Sequence, residues 1–219
     1  AKYSQRAVAA AILDIEDFSG INDTLGHRAG DEVLKTLAAY LTASVREGDT
    51  VARLGNDNFG VILMDLADRE DAVMVMEKII GGLPASVTIA GEEVFIKAYL
   101  GIAIYPGDGT STQELMQNTE LAMHAADASG GGSAAQYYSQ EINLKARARR
   151  RIENELRHAL EKKEFELAYQ TIVNVEDRRI TGVEALLRWK NVRLGSVPPD
   201  KFIPVAEETG LIVPIGEWV

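Results

Sequence analysis

Near the start of the chain one short stretch limits what the rest can become. Ala7 to Ile15, AVAAAILDI, is an almost unbroken apolar run, and acids close it at Asp14, Glu16 and Asp17. It is too short to span a bilayer, which takes roughly 20 apolar residues. It leads straight into acids with no cleavage-type segment, so it does not read as a secretory leader. Polar and apolar positions do not alternate within it, as they would on a strand with one wet face. The run therefore reads as a buried central strand.

Period and punctuation downstream supply its neighbours. From Gly30 to Arg46, apolar Val33, Leu34, Leu37, Leu41 and Val45 recur at helical spacing. RLGNDNFGVIL, Arg53 to Leu63, reads as strand, polar turn, strand, with arms at Val51–Leu54 and Phe59–Leu63. Gly55-Asn56-Asp57-Asn58 lies between the arms, and these residue types tolerate a left-handed backbone. Asp68 to Ile80 reads as a second helix, and Ala85 to Pro106 as a hairpin turning at Gly91 with a long second arm. Ser111 to Ala128 reads as a helix capped at Ser111 or Thr112, and Gln136 to Tyr138 as a short closing strand. The order β-α-β-β-α-β-β-α-β predicts an α/β sandwich with helices packed on a mixed sheet. Strand ends and hairpin tips share a rim in such a sheet, so Asp14, Glu16 and Asp17 are expected beside Asp57.

Charge divides the chain. The net charge of the 219 residues is −10, which argues against non-specific nucleic-acid binding. Residues 1–138 hold 9 Lys/Arg against 20 Asp/Glu, whereas residues 139–219 hold 14 against 13. The change falls beside ASGGGSAA, Ala128 to Ala135, and marks a boundary near Tyr138. The expected layout is a first domain over 1–138, a linker helix over 139–163 and a further unit over 164–219. In the last, EFELAYQTIV and RITGVEALLRW read as strands about a turn at Glu176–Arg179. A Pro-led helix stopped by Gly210 follows, and then an apolar tail, LIVPIGEWV, for which no core is left. The basic run Lys145 to Arg157 is interleaved with Ala, Leu and Glu and reads as a solvated helix face. With no cysteine, and with His27, His124 and His158 scattered, disulfides are excluded and a structural zinc site is not expected. A cytoplasmic location is expected, with no membrane segment in these residues.

AILDIEDFSGINDTLGHRAGDEVL followed by REGDTVARLGNDNFGVIL strongly resembles a GGDEF, or diguanylate cyclase, domain. ELAYQTIVNVEDRRITGVEALLRWKNVRLGSVPPDKFIPVAEETGLIVPIGEWV strongly resembles the opening of an EAL domain, the cyclic-di-GMP phosphodiesterase fold. Together they cover nearly the whole chain. The implied fold class is α/β, a nucleotidyl-cyclase-like mixed sheet with flanking helices. A linker helix and an incomplete TIM-like barrel follow it.

The resemblance also implies roles. A cyclase joins a 3′-hydroxyl to an α-phosphorus, which calls for Mg2+ or Mn2+ held by carboxylates; Asp14 and Asp57 match those ligands. The family signature G-G-D/E-E-F reads Gly55-Asn56-Asp57-Asn58-Phe59 here. Asn58 replaces the second acid, and a carboxamide cannot accept a hydroxyl proton as a carboxylate does. That loss alone is worth ~10²–10⁴ in rate. Ala126 and Gly131 stand where the family pattern A-K-x-x-G-R-N has phosphate-binding cations. Asn22 and Asp31 match its guanine contacts; turn formation and a favoured early-helix acid are the alternatives. Arg46-Glu47-Gly48-Asp49 matches the inhibitory R-x-x-D site for cyclic-di-GMP, where Arg would take guanine O6 and N7. A solvated salt bridge is the alternative there. Glu184 resembles the first metal ligand of the EAL family, and Gln170 and Arg188 its contacts to the dinucleotide. The remaining EAL ligands are not among these residues, so this stretch alone is not expected to hydrolyse anything.

The expected function is cyclic-di-GMP signalling. The GGDEF domain would act as an inactive, regulatory cyclic-di-GMP or GTP binding module for an adjoining EAL phosphodiesterase domain. Expected partners are those nucleotides, the rest of the EAL domain or another signalling protein, and a second copy in a homodimer. Two alternatives stay open: an active cyclase making cyclic-di-GMP from two GTP, and a ligand-free protein interaction module.

Overall fold

The computed structural model describes residues 6–89, 91–129 and 131–219. Expectations placed on residues 1–5, on Ala90 in the second hairpin and on Gly130 in the glycine run lie outside them. The chain forms two compact units, 1–143 and 144–219.

In the first unit the apolar run forms β1 (Ala7–Ile15). Helices α1 (Phe18–Leu25) and α2 (His27–Ser44) follow, then strands β2 (Thr50–Arg53) and β3 (Asn58–Leu66). Next come α3 (Arg69–Gly81), β4 (Ser86–Ile89), β5 (Glu92–Phe95), β6 (Ala98–Tyr105), α4 (Thr112–Asp127) and β7 (Ala134–Tyr137). The main sheet has the order β2-β3-β1-β6-β7. β1 is antiparallel to both β3 and β6, and β7 runs parallel to β6. One face of β1 packs Ala9, Ala11, Leu13 and Ile15 in a core with Val33, Leu37 and Leu41 of α2 and Met76 and Ile79 of α3. On the other face Ile12 and Tyr99 pack with Met123 and Ala126 of α4.

The contact with α4 is unusually close. A Cβ on Gly101 would lie 2.2 Å from the Thr119 carbonyl oxygen and 2.3 Å from the Met123 nitrogen. The backbone of α4 thus rests directly on β6, and a glycine is required at the point of contact. This seat determines where the last turn of α4 falls.

Three local expectations need correction. Residues 18–25 are helical, which the reading of Asn22-Asp23 as a turn did not anticipate. Asp17 takes a left-handed backbone (φ 50) as the cap of α1, and its side chain accepts from the Gly20 N–H at 3.2 Å. The long second arm of the Gly91 hairpin is two strands. The Ile96 N–H bonds back to the Ala85 carbonyl at 2.9 Å, and the chain then enters the main sheet as β6. Seven of the eight β6 residues are buried, so that half of the arm belongs to the main core and not to the hairpin. Finally, the tip at Gly55–Asn58 uses no left-handed residue at Gly55 or Asn56. The Leu54 N–H bonds to the Asn58 carbonyl at 2.8 Å, and the Arg53 guanidinium donates to the carbonyls of Gly55 (2.9 Å) and Asn56 (2.7 Å). A side chain from the arm holds the turn that the tip residues were expected to hold themselves.

Helix α5 (Gln140–Leu156) begins in the first unit and runs into the second, where it gives way to turns that end at Lys163, in the left-handed region (φ 54). Lys163 N–H bonds to Leu160 O and Glu164 N–H to Ala159 O, both at 3.0 Å, which is a Schellman closure. β8 (Phe165–Val173), β9 (Ile180–Asn191) and β10 (Gly195–Val197) form a three-stranded sheet in the order β10-β9-β8. α6 (Pro199–Glu208) and α7 (Ile212–Trp218) complete the unit. The tail is not left without a core. Ile215 is buried with Phe165, Trp189 and Phe202, and the Trp218 ring lies 6.0 Å from Phe165. The unit builds this aromatic core for itself, and buried Glu164 supports it by accepting from Trp189 Nε1 (3.0 Å) and Asn191 Nδ2 (2.9 Å).

Gly101→Ala is expected to cost about 1–3 kcal/mol or more through overpacking. Gly48, whose added Cβ would meet nothing within 4 Å, should tolerate the same change within about 0.5 kcal/mol. Urea unfolding of both variants checks this; equal midpoints would show that the seat of α4 adapts freely.

Candidate functional site

The β1–β3 register sets Asp14 opposite Asn58, and the β1–β6 register sets it opposite Tyr99. Residues directly opposed across a sheet share a face. Leu13 and Phe59 are buried on the α2/α3 side, so their neighbours Asp14 and Asn58 lie on the α4 side. Asn58, Asp14 and Tyr99 thus form a row across the sheet, under the last turn of α4. There Met123 and Ala126 are packed on Ile12 and Tyr99, and exposed His124 and Asp127 stand at the rim.

The electrostatics of this row are those of crowded acids. The Asp14 carboxyl is pushed up, first by burial, then by Asp57 and Asp127, with His124 opposing. Asn58 Oδ1 is buried and has no hydrogen-bond partner among the described residues. A carboxamide oxygen is thus left unpaired beside the raised acid.

Of the three acids expected beside the tip, only Asp14 is there. Glu16 accepts from the Tyr99 hydroxyl at 2.9 Å and pairs with Lys97 at 3.2 Å. The Tyr99 hydrogen bond, then Lys97, holds its carboxyl below the ordinary range. Asp17 is occupied with the α1 cap.

Asn22 and Asp31 are brought together by the crossing of α1 and α2. A Cβ on Gly30 would fall 2.2 Å from Asn22 Oδ1 and 3.0 Å from Phe18 Cζ, so the Asn22 side chain lies against the residue that precedes Asp31. Neither residue caps a helix: Asn22 is inside α1, and Asp31 is past the first turn of α2.

Arg46 and Asp49 also meet, but they are already engaged. The Asp49 side chain is 4% exposed and accepts from the backbone N–H of Arg46 (3.2 Å) and of Met64 (3.0 Å). Arg46 Nη2 donates to the Met64 carbonyl, and its Nε lies 3.6 Å from Asp49. Both residues thereby grip β3 at an irregularity. The β1–β3 register slips between Ala7/Leu66 and Ala9/Leu63, and Asp65 adopts φ 51. Met64 lies along β3 from Asn58 by roughly 20 Å, at ~3.3 Å per residue. The Arg46 side chain is still 60% exposed. Nothing in the R-x-x-D pattern signalled this clamp.

In the second unit Gln170 lies directly opposite Glu184, and Arg188 opposite Glu166. Glu184 and Arg188 are four residues apart on one strand, so all three expected residues share a face of the β8–β9 ladder. Lys190 pairs with Glu166 at 2.6 Å.

Among the described residues no group of three His, Cys, Asp or Glu side chains is arranged to hold a metal. Asp14, Asp57 and the unpaired Asn58 Oδ1 are nevertheless hard oxygen donors. They fit Mg2+ or Mn2+ that takes its other ligands from water or phosphate. The expected cation gap also needs refinement. Ala126 is 1% exposed in the packing under α4, so it does not face the site. The next residue, Asp127, is exposed at the end of α4, and after burial and Asp57 its charge adds to the rise of Asp14. The position is therefore not a neutral gap but an added negative charge. Gly131 (φ 114) brings no charge.

Comparison with known proteins agrees with this architecture. Residues 1–133 match the family described as diguanylate cyclase, GGDEF domain, and residues 153–219 match the EAL domain. The chain is 40% identical over 215 residues to the bifunctional diguanylate cyclase/cyclic di-GMP phosphodiesterase MucR of Pseudomonas aeruginosa, covering 98% of this chain and 31% of MucR. It is 34% identical over 214 residues to the cyclic di-GMP phosphodiesterase NbdA of the same organism, covering 98% of this chain and 27% of NbdA. The chain thus spans less than a third of the length of these two curated relatives. Among solved structures, the GGDEF domain of YfiN (TpbB) from Pseudomonas aeruginosa aligns with a TM-score of 0.63 at 32% identity, over 67% of this chain and 85% of that one. An EAL/GGDEF domain protein from M. capsulatus aligns with a TM-score of 0.58 at 34% identity, over 63% and 88%. The chain belongs to the GGDEF family, with a diguanylate-cyclase-type domain over residues 1–133 and the beginning of an EAL domain after it.

Proposed function

We propose that the GGDEF unit is a regulatory nucleotide-binding domain, not a working cyclase, and that it serves an adjoining EAL phosphodiesterase domain. The observation that carries this reading is the Asn58–Asp14 pair. Activating a 3′-hydroxyl takes a group that accepts its proton, and Asn58 offers only a carboxamide oxygen. Asp14 and Asp57 would hold Mg2+ or Mn2+ together with Asn58 Oδ1, and the cation would neutralise phosphate charge. Asn22 and Asp31 would read the guanine edge. The pocket keeps its means of holding a guanine nucleotide and lacks the carboxylate at position 58 that would take the hydroxyl proton.

Cyclic-di-GMP would bind at Arg46 and Asp49. The exposed guanidinium has five N–H donors and spends few of them on Met64 and Asp49, which leaves others for guanine O6 and N7. In the EAL part Glu184 would take a metal, and Gln170 and Arg188 the dinucleotide, once the rest of that domain is present. A second copy would pair through the GGDEF unit. The rival reading, an active cyclase, draws on the retained Asp14 and Asp57 and on the bifunctional name of MucR.

Titration calorimetry should show cyclic-di-GMP binding to the wild type and a loss of at least about tenfold in Arg46→Ala, the scale of one bidentate guanine contact. No heat in the wild type would remove the receptor assignment. Incubation with GTP and Mg2+ should give no cyclic-di-GMP by chromatography, and brisk synthesis would decide for the cyclase.

The raised Asp14 carboxyl gives a third outcome. A carboxyl whose folded pKa is raised contributes stability below its unfolded value and loses it as pH rises through the folded value. Burial, Asp57 and Asp127 therefore destabilise the fold at neutral pH through Asp14. Asp14→Asn should raise Tm at about pH 7, and the gain should vanish below about pH 3, where the wild-type carboxyl is protonated in both states. An unchanged Tm at neutral pH would show that the acids are not strained by one another.

A further inference from the structure

We infer that Asp127 sets the charge selectivity of the Asp14 rim, so that a phosphorylated guanine nucleotide is admitted only as its divalent-metal complex. The inference rests on the reading of this rim as a guanine-nucleotide site, and it adds a residue which that reading does not include.

Geometry places Asp127. Gly101 seats α4 on β6 with no room for a side chain between them. Ala126 is buried against Ile12 and Tyr99, and Tyr99 stands directly opposite Asp14. Asp127, the last residue of α4, is exposed at the same edge. The end of α4 that meets the rim is also its C-terminus, where the helix dipole is negative.

Among the described residues the cations of this edge are already engaged: the Arg53 guanidinium at the hairpin tip donates to the Gly55 and Asn56 carbonyls. Lys97 is committed to Glu16 at 3.2 Å. His124, in the same turn of α4, is the basic group that opposes the acids at Asp14. A bare triphosphate would therefore meet Asp14, Asp57, Asp127 and a helix C-terminus together. A metal-bound triphosphate carries less negative charge and brings a cation to the carboxylates. Guanosine carries no phosphate and is indifferent to the rim.

The test uses the full chain and three probes in calorimetry: GTP with chelator, GTP with excess Mg2+, and guanosine. The variants are Asp127→Asn and Asp127→Lys. Position 127 is exposed at a helix C-terminus, where a lysine is favoured, and circular dichroism confirms folding. The wild type should bind Mg2+–GTP at least about tenfold more tightly than chelated GTP. Asp127→Asn should narrow that ratio, and Asp127→Lys should abolish it by gaining affinity for chelated GTP. Guanosine affinity should not change. The inference is overturned if both variants keep the wild-type ratio. It is also overturned if guanosine affinity shifts with the GTP affinities, because the effect is then one of shape and not of charge. Asp31→Ala separates the two levels. If it weakens guanosine while the Asp127 variants behave as wild type, the nucleotide site stands and the selectivity role falls. If no guanine ligand binds any variant, both fall.

Discussion

Strand β1 is the element on which the first unit depends. It is hydrogen-bonded on both sides, to β3 and to β6, and covered on both faces, by α2 and α3 and by α4. A strand with no free edge and one face wholly in the core has one register open to it, since a slip of one residue would turn Leu13 outward and Asp14 into the core. That register carries the chemistry. It puts Asn58, Asp14 and Tyr99 in line at the end of the sheet, where the apolar run gives out and acids begin.

Two sets of contacts lie at opposite ends of β3. At one end Asn58 faces Asp14. At the other, Asp49 and Arg46 hold the Met64 backbone beside the irregularity at Asp65. A ligand that draws the Arg46 guanidinium away from Met64 competes with one of the bonds that hold this end of the strand. The R-x-x-D pair is therefore a structural clamp in the unliganded chain, and any nucleotide bound there must exchange one set of hydrogen bonds for another. Such exchange costs less than exposing an unpaired buried group, because the freed backbone can turn to water at the surface.

The rim of Asp14 shows how a frame can be independent of the polar groups it carries. Its architecture depends on apolar packing and on Gly101, neither of which takes part in proton or phosphate chemistry. The polar positions are free to change around that frame. Asn58 keeps the volume of an acid without its basicity, and Asp127 puts a negative charge at the end of the helix. In the second unit the same separation holds. Phe165, Trp189, Phe202 and Ile215 form the core, while Gln170, Glu184 and Arg188 share a strand face that makes no contribution to it.

The residues alone were enough for the buried central strand, the main helices and the hairpin at 51–64. Each of these follows from local pattern, because burial of a periodic face is decided within a few neighbouring residues. Asn22, Asp31, Arg46, Asp49 and Glu184 were named from the family resemblance and not from any periodic pattern. Contacts between distant segments were not legible in the sequence. No local pattern shows that Arg53 would close the hairpin tip, that Asp49 would bury itself against Met64, that Glu16 would turn to Tyr99, or that the apolar tail would find a core beside Phe165. The family pattern, whose two cations stand four residues apart, points from Gly131 back to Asp127, and the burial of Ala126 in the α4 packing agrees. Sequence determined which residues are available to the site. Only the packing of elements far apart in the chain decided which of them meet, because the close approach that selects them is a property of two surfaces and is written in neither one alone.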